Sequence, residues 1–177
     1  LATVAGRTEG GDKMKGLEYI KRTRRYLDYL ENHIKNVHKA FDEVSVACKH
    51  MQWVTDDYIW HTIRAEIEFH DVSKFSQEEF VPYREKFFPV VGEIPNAAAF
   101  KAAWEHHKKH NSHHHETART EMDIVHMVVD WTAMGYRFGN TAEEYYEKIK
   151  SKLSEEIRTS KFLQEIFAQM RKARGEK

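Results

Sequence analysis

The sequence predicts an all-α protein. Apolar residues recur at steps of three and four along most of its 177 residues, and helix-capping patterns open one segment after another. No run alternates polar and apolar residues as a half-buried strand would. The three prolines, Pro82, Pro89 and Pro95, fall together and punctuate one loop-rich stretch without dividing the chain into domains.

Residues 1–13 (LATVAGRTEGGDK) are small and polar, contain glycine and show no apolar face. They read as a flexible leader or a remnant of cloning, with Met14 the expected native start. Leu17, Ile20, Leu27, Leu30, Ile34, Val37, Phe41, Val44 and Met51 then mark one long amphipathic helix, or two nearly collinear ones. Thr55 reads as an N-cap, with acidic Asp56 and Asp57 in the first turn of a helix running to about Phe69. Ser76-Gln77-Glu78-Glu79 is a capping-box pattern that starts a short helix near Phe80. Beyond the prolines, Asn96 caps a helix carrying Phe100, Trp104 and His107. Thr120 to Asp123 is a weaker cap, opening a helix through Ile124, Met127, Val128, Trp131 and Met134 that stops near Gly135 to Gly139. Thr141 to Glu144 is a capping box for the next helix, and Ser160 caps a final one with Phe162, Leu163, Ile166, Phe167 and Met170 on its apolar face. The tail from Arg171 is charged and expected to fray. One helical domain over 14–172 is expected, with residues 173–177 as frayed tail.

Lysine plus arginine and aspartate plus glutamate each number 28, so the formal net charge is zero. A nucleic-acid polymer is therefore not an expected partner, since such binders carry a basic excess. The run Lys21-Arg22-Thr23-Arg24-Arg25 spreads around a helix and reads as a solvated face. Cys48 is the single cysteine, which rules out an intramolecular disulfide and suits a reducing compartment. No apolar run approaches the ~20 residues of a membrane span. A cytoplasmic location without membrane contact is expected. Amphipathic terminal helices from Tyr145 onward offer a homodimer surface.

Histidine is the unusual residue: there are 12, of which His106, His107, His110, His113, His114 and His115 crowd ten positions. The sharpest motif is Phe69-His70-Asp71-Val72-Ser73-Lys74, where an apolar helix (Ile59, Ile63, Ile67) runs out into a polar turn. Neighbours on a helix point about 100° apart, but loosened geometry at a helix end lets an imidazole and a carboxylate reach one cation. Nitrogen and oxygen donors together favour Mn, Fe, Co, Ni or Zn over Ca.

His70-Asp71-Val72-Ser73-Lys74 resembles the His-Asp-x-(Gly/Ser)-Lys signature of the HD superfamily of metal-dependent phosphohydrolases. The resemblance implies an HD-like helical domain whose metal site is completed by an earlier histidine and a later aspartate. His33 is the expected first ligand, with His38 its competitor, and Asp130 the last. His107-x-x-x-Asn111-x-His113-His114, His70 to Ser76 and Asp130-Trp131-Thr132-Ala133-Met134 are also similar to motifs of a small phage and bacterial family of unknown function, the DUF5662 family. That likeness spans about His33 to Tyr146. Some HD proteins hold a second metal with additional histidines, which makes His107 and His114 expected ligands, with His113 close behind.

The expected cofactor is thus one or two divalent first-row ions, held by His33, His70, Asp71, His107, His114 and Asp130. The expected activity is hydrolysis of a nucleotide or other small phosphomonoester through a metal-activated water. Lys74 is expected to clamp phosphate, His113 or His110 to donate a proton to the leaving oxygen, and Asp71 to take part in catalysis. Two other readings compete: an HD-type di-iron oxygenase, and a non-enzymatic helical protein with a structural metal. His70 and Asp71 also suit a helix C-terminus and its turn, and single histidines such as His50, His61 and His126 read as surface or hydrogen-bonded residues. Trp104, Trp131, Tyr145 and Tyr146 read as core.

Overall fold

The computed structural model describes residues 9–176, with side chains from residue 15 onward. Among these every regular element is helical. The first helix, α1 (Glu9–Ala47), begins inside the stretch read as a leader, whose remaining residues 1–8 lie outside the described ones. It continues unbroken to Ala47, which settles the choice between one long helix and two. Contacts divide the chain into two compact units, Leu1–Glu31 with Lys74–His106, and Asn32–Ser73 with His107–Lys177.

The first unit has a small aromatic core. Tyr26 and Leu30 of α1 pack with Tyr83 of α4 (Phe80–Phe87) and Ala103 of α5 (Ala97–His110), flanked by Phe80, Phe88 and Phe100. Asn96 caps α5 as its type predicts, accepting from the Ala98 and Ala99 amides at 3.0 Å each. The capping box at Ser76 does not form. Glu79 sits at the N-cap without a side-chain capping bond, and its buried carboxylate lies 2.7 Å from His106 Nδ1. A tertiary partner has outcompeted the local one. Pro82 falls in the first turn of α4, where its missing N–H costs nothing. Arg84 grips Glu93 through two bonds of 2.7 and 3.0 Å, and the Val90 amide donates to the same carboxylate, so the proline-rich loop is pinned.

The second unit is organised around α6 (Glu121–Phe138). Ile124 through Val129 are all buried, more than one amphipathic stripe allows, so α6 is packed on most sides. It packs against α3 (Asp57–Glu68), α7 (Ala142–Ile149) and α9 (Lys161–Ala173). The predicted Thr120 cap is a complete capping box with Asp123. α6 ends at Gly139, whose φ of 72° is the left-handed conformation glycine adopts freely. Gly135 answers a different demand: a Cβ there would lie 2.2 Å from the Asn140 carbonyl oxygen.

Thr141 forms its capping box with Glu144, and Ser160 caps α9 through the Leu163 amide. Three local expectations need correction. Thr55 ends the short α2 (Gln52–Thr55), and it is Asp56 that caps α3, accepting from Tyr58 and Ile59. A five-residue helix, α8 (Glu155–Thr159), interrupts the segment before Ser160. α9 extends past Arg171 to Ala173, and Arg174 is tied to Glu143 at 2.7 Å. No helix among the described residues is long and apolar enough to cross a membrane.

Candidate metal centre

α3 gives out at Glu68, and Phe69 is its C-cap. The His70 amide bonds the Ile67 carbonyl and the Val72 amide bonds that of Phe69, so the chain tightens into a turn. Asp71 takes φ 59°, the only positive value among the described non-glycine residues. Aspartate tolerates the left-handed region better than most residues but still pays for it. The turn buries both neighbouring side chains, which a continuous helix would have sent in different directions.

Four side-chain atoms of the second unit converge beside this turn. His33 Nε2 and His70 Nε2 lie 3.0 Å apart. Asp71 Oδ2 is 3.5 Å from the first nitrogen and 3.4 Å from the second, and Asp130 Oδ1 is 3.3 and 3.7 Å from the same two. Ligands each roughly 2.0–2.2 Å from one ion stand about 3.0–3.6 Å from each other, so this spacing fits a shared first-row cation. The electrostatics agree. Burial alone would lower the His33 pKa, but hydrogen bonds to Asp130 and Asp71 outweigh it and raise it to about 9. Burial would raise the Asp130 carboxyl, yet His33 and the other nearby rings hold it well below the usual carboxylate range. His70, wholly enclosed, is shifted down by burial despite Asp71. The two carboxylates thus favour positive charge at His33, while enclosure keeps His70 towards its neutral form.

The other oxygen of Asp71 faces a second set. His107 Nε2 lies 3.2 Å and His113 Nε2 3.6 Å from Asp71 Oδ1, and His114 completes a group whose ligand atoms are all within 4.8 Å of one another. α5 stops at His110, and Asn111 begins the turn that brings His113 and His114 back beside His107. The His114 carbonyl accepts from the Thr117 and Ala118 amides at 2.8 Å, closing that turn. Asn111 also sets His107. Its Nδ2 donates to the His107 carbonyl and to Ser73 Oγ, both at 2.8 Å, which uses its two hydrogens. Ser73 Oγ and Asn111 Nδ2 each lie 3.1 Å from His107 Nδ1, so the two side chains hold that edge of the ring and turn its Nε2 towards Asp71.

A model of the family described as "Family of unknown function (DUF5662)" matches residues 22–171, nearly the whole described chain. The chain belongs to the DUF5662 family. No curated protein and no solved structure matches it. Every residue of the two converging sets lies inside the segment shared with the DUF5662 model.

The DUF5662 chain brings together all six residues expected as ligands: His33, His70, Asp71, His107, His114 and Asp130. His38, the competitor of His33, belongs to neither set. His113, expected either as a proton donor or as a ligand close behind His107 and His114, is placed with the latter group. It is buried beside Asp71, and burial, followed by the neighbouring His70 and His126 rings, pushes its pKa well below the ordinary value. A neutral, enclosed imidazole suits ligation better than proton donation at neutral pH. His110 is exposed. Lys74 belongs to the first unit, buried with its ammonium 5.5 Å from the centroid of the Tyr83 ring.

His126, read from sequence as a surface or hydrogen-bonded residue, is the second of these. His126 is buried, its Nε2 2.9 Å from His70 Nδ1, and it forms a third group with His70 and His113. The available signal was its spacing: His126 and Asp130 stand four apart on α6 and so share a face.

Proposed function

We propose that this chain holds one or two divalent first-row metal ions and is a metal-dependent phosphohydrolase acting on a nucleotide or another small phosphomonoester. The observation that carries the metal reading is the division of labour at Asp71, whose Oδ2 faces His33 and His70 while its Oδ1 faces His107 and His113. A carboxylate presented this way is suited to bridge two cations. His33, His70 and Asp130 would hold one, and His107 with His113 or His114 the other. Bound ions would supply Lewis acidity and a water whose pKa falls from 15.7 towards roughly 7.

The remaining roles belong to the chain. Asp71 fixes the separation of the two sets, and Asn111 with Ser73 fixes the His107 ring. Asp130 keeps 17% of its side chain exposed and His114 is half-buried, so these two offer the cluster a way to solvent and to a substrate phosphate. The phosphohydrolase assignment and the nucleotide preference rest on the likeness of His70 to Lys74 to the HD signature.

A second reading has an observation of its own. The set around Asp71 Oδ1 offers three imidazoles, a donor set that also suits iron, and so an iron pair acting with O₂. Metal analysis after aerobic and anaerobic purification separates the two. The decisive assay is phosphate release from a panel of nucleotides and phosphomonoesters with Mn(II) or Co(II), with and without chelator. Chelator-sensitive release that Asp71→Asn abolishes is the expected result. Release indifferent to chelator, or none with any divalent ion, overturns the hydrolase reading.

A further inference from the structure

We infer that His126 and Glu66 are positioning residues that fix the tautomer of His70 and so set the affinity of the first metal position. The inference rests on the metal reading above and adds two residues that hold no cation themselves.

The geometry runs outward from the centre. His70 presents Nε2 to His33, Asp71 and Asp130, and turns Nδ1 to His126 Nε2 at 2.9 Å. Two ring nitrogens at this distance share one hydrogen. If it sits on His126, His70 Nδ1 is the acceptor, and a neutral His70 must carry its own hydrogen on Nε2, where it blocks a cation. If it sits on His70 Nδ1, His70 Nε2 is a bare lone pair aimed at the metal position. Which arrangement holds is decided one step further out. His126 Nδ1 lies 3.7 Å from Glu66 Oε2, an oxygen that is buried and accepts no hydrogen bond. At that distance the carboxylate acts on Nδ1 by electrostatic bias and not as a full hydrogen-bond acceptor.

That bias favours a hydrogen on His126 Nδ1, which leaves His126 Nε2 to accept from His70. Each tautomer then dictates the next, from a half-exposed carboxylate to the metal-facing nitrogen. Sequence spacing supports the arrangement: Glu66 precedes His70 by four residues, so α3 carries the outer acceptor in the turn before the ligand. His113, whose ring centroid is 4.4 Å from that of His126, packs on the side of the relay. It makes the His70, His113 and His126 trio the one arrangement that competes with this reading, as a metal site in its own right.

The test is Co(II) binding to the metal-free full chain, measured by competition with a chromophoric chelator and by the visible Co(II) spectrum. Outer hydrogen-bond partners of a ligating histidine change metal affinity by roughly 10- to 100-fold. His126→Phe is expected to weaken the first Co(II) equivalent by that factor and to alter its spectrum, and Glu66→Ala, acting one step further out, to weaken it measurably but by less. His126→Gln should restore near wild-type affinity, because its amide oxygen accepts from His70 Nδ1 without help from Glu66. For the same reason Glu66→Ala should have no further effect in the His126→Gln background. Should His126→Phe fail to fold, the Glu66→Ala arms decide alone, since that side chain is 38% exposed. Wild-type affinity in Glu66→Ala, or an equal loss in both backgrounds, overturns the relay while leaving the metal reading intact. Three Co(II) per chain, one of them lost in His126→Gln, overturns it in favour of a trio site. No Co(II) uptake by the wild type overturns the metal reading and the relay together.

Discussion

Asp71 meets two demands with one side chain. Its left-handed backbone turns the carboxylate inward, and its two oxygens serve two imidazole sets. Such strain, of order 1–3 kcal/mol, persists where the surrounding structure over-determines it, which is common at functional sites. Asparagine also tolerates this conformation, so Asp71→Asn should keep the fold while losing at least one equivalent of bound metal. Elemental analysis beside a melting curve checks this, and full metal content in the variant would refute it. His33 supplies a prediction about pH. Its folded pKa is raised from 6.5 to about 9 by Asp130 and Asp71 against the opposing effect of burial. The stabilisation is therefore complete below about pH 6.5 and is lost as pH rises through about 9, amounting to roughly 3 kcal/mol. Urea midpoints in chelator should fall across that window, whereas metal affinity should rise across it as the proton competing for His33 leaves. A flat urea profile would refute the coupling. At this scale most of the residues that cluster were legible because motif and residue type coincide. His126 was not, because a single histidine on an apolar helix looks like any buried polar residue until its partner is known.

Helix boundaries were legible where the deciding interaction is local. Asn96, Thr120, Thr141 and Ser160 cap the helices their types predict, because the bonds they make lie within three residues of them. The capping pattern from Ser76 to Glu79 failed because His106, distant in sequence, holds the Glu79 carboxylate. The brief α8 escaped because five residues carry little periodicity. The α2–α3 junction offers a direct comparison. Asp56 accepts two amide hydrogens at 3.0 and 3.1 Å, whereas the Thr55 hydroxyl reaches only carbonyls, at 3.4 Å. Asp56→Ala should cost about 1 kcal/mol of stability, as removal of an N-cap does, and Thr55→Ala clearly less. Denaturant midpoints of the two variants rank them, and the reverse order would restore Thr55 as the cap.

At the scale of the molecule, an all-α chain was foreseeable from periodicity, but its division into two compact units was not. α1 and α5 each contribute residues to both, so no linker composition marks a boundary. All eight clustered site residues, His33, His70, Asp71, His107, His113, His114, His126 and Asp130, belong to the second unit. Metal binding as proposed would therefore be a stability term of that unit. The clustered side chains come from α1, the turn after α3, α5, the turn after it and α6 and disperse on unfolding, so a cation that bound only the folded state would stabilise it by about 2.7 kcal/mol at a hundred times its dissociation constant. Slowly exchanging amides of α6, which open only with global unfolding, should then exchange about 100-fold more slowly with Co(II) than with chelator. α4 carries no ligand and lies in the first unit, so its amides serve as the internal reference for that measurement. Slowing in α6 beyond that in α4 would assign the binding energy to the second unit. Equal slowing in both would show that the units unfold together, and unchanged exchange in α6 at saturating metal would leave the cluster without a cation to hold.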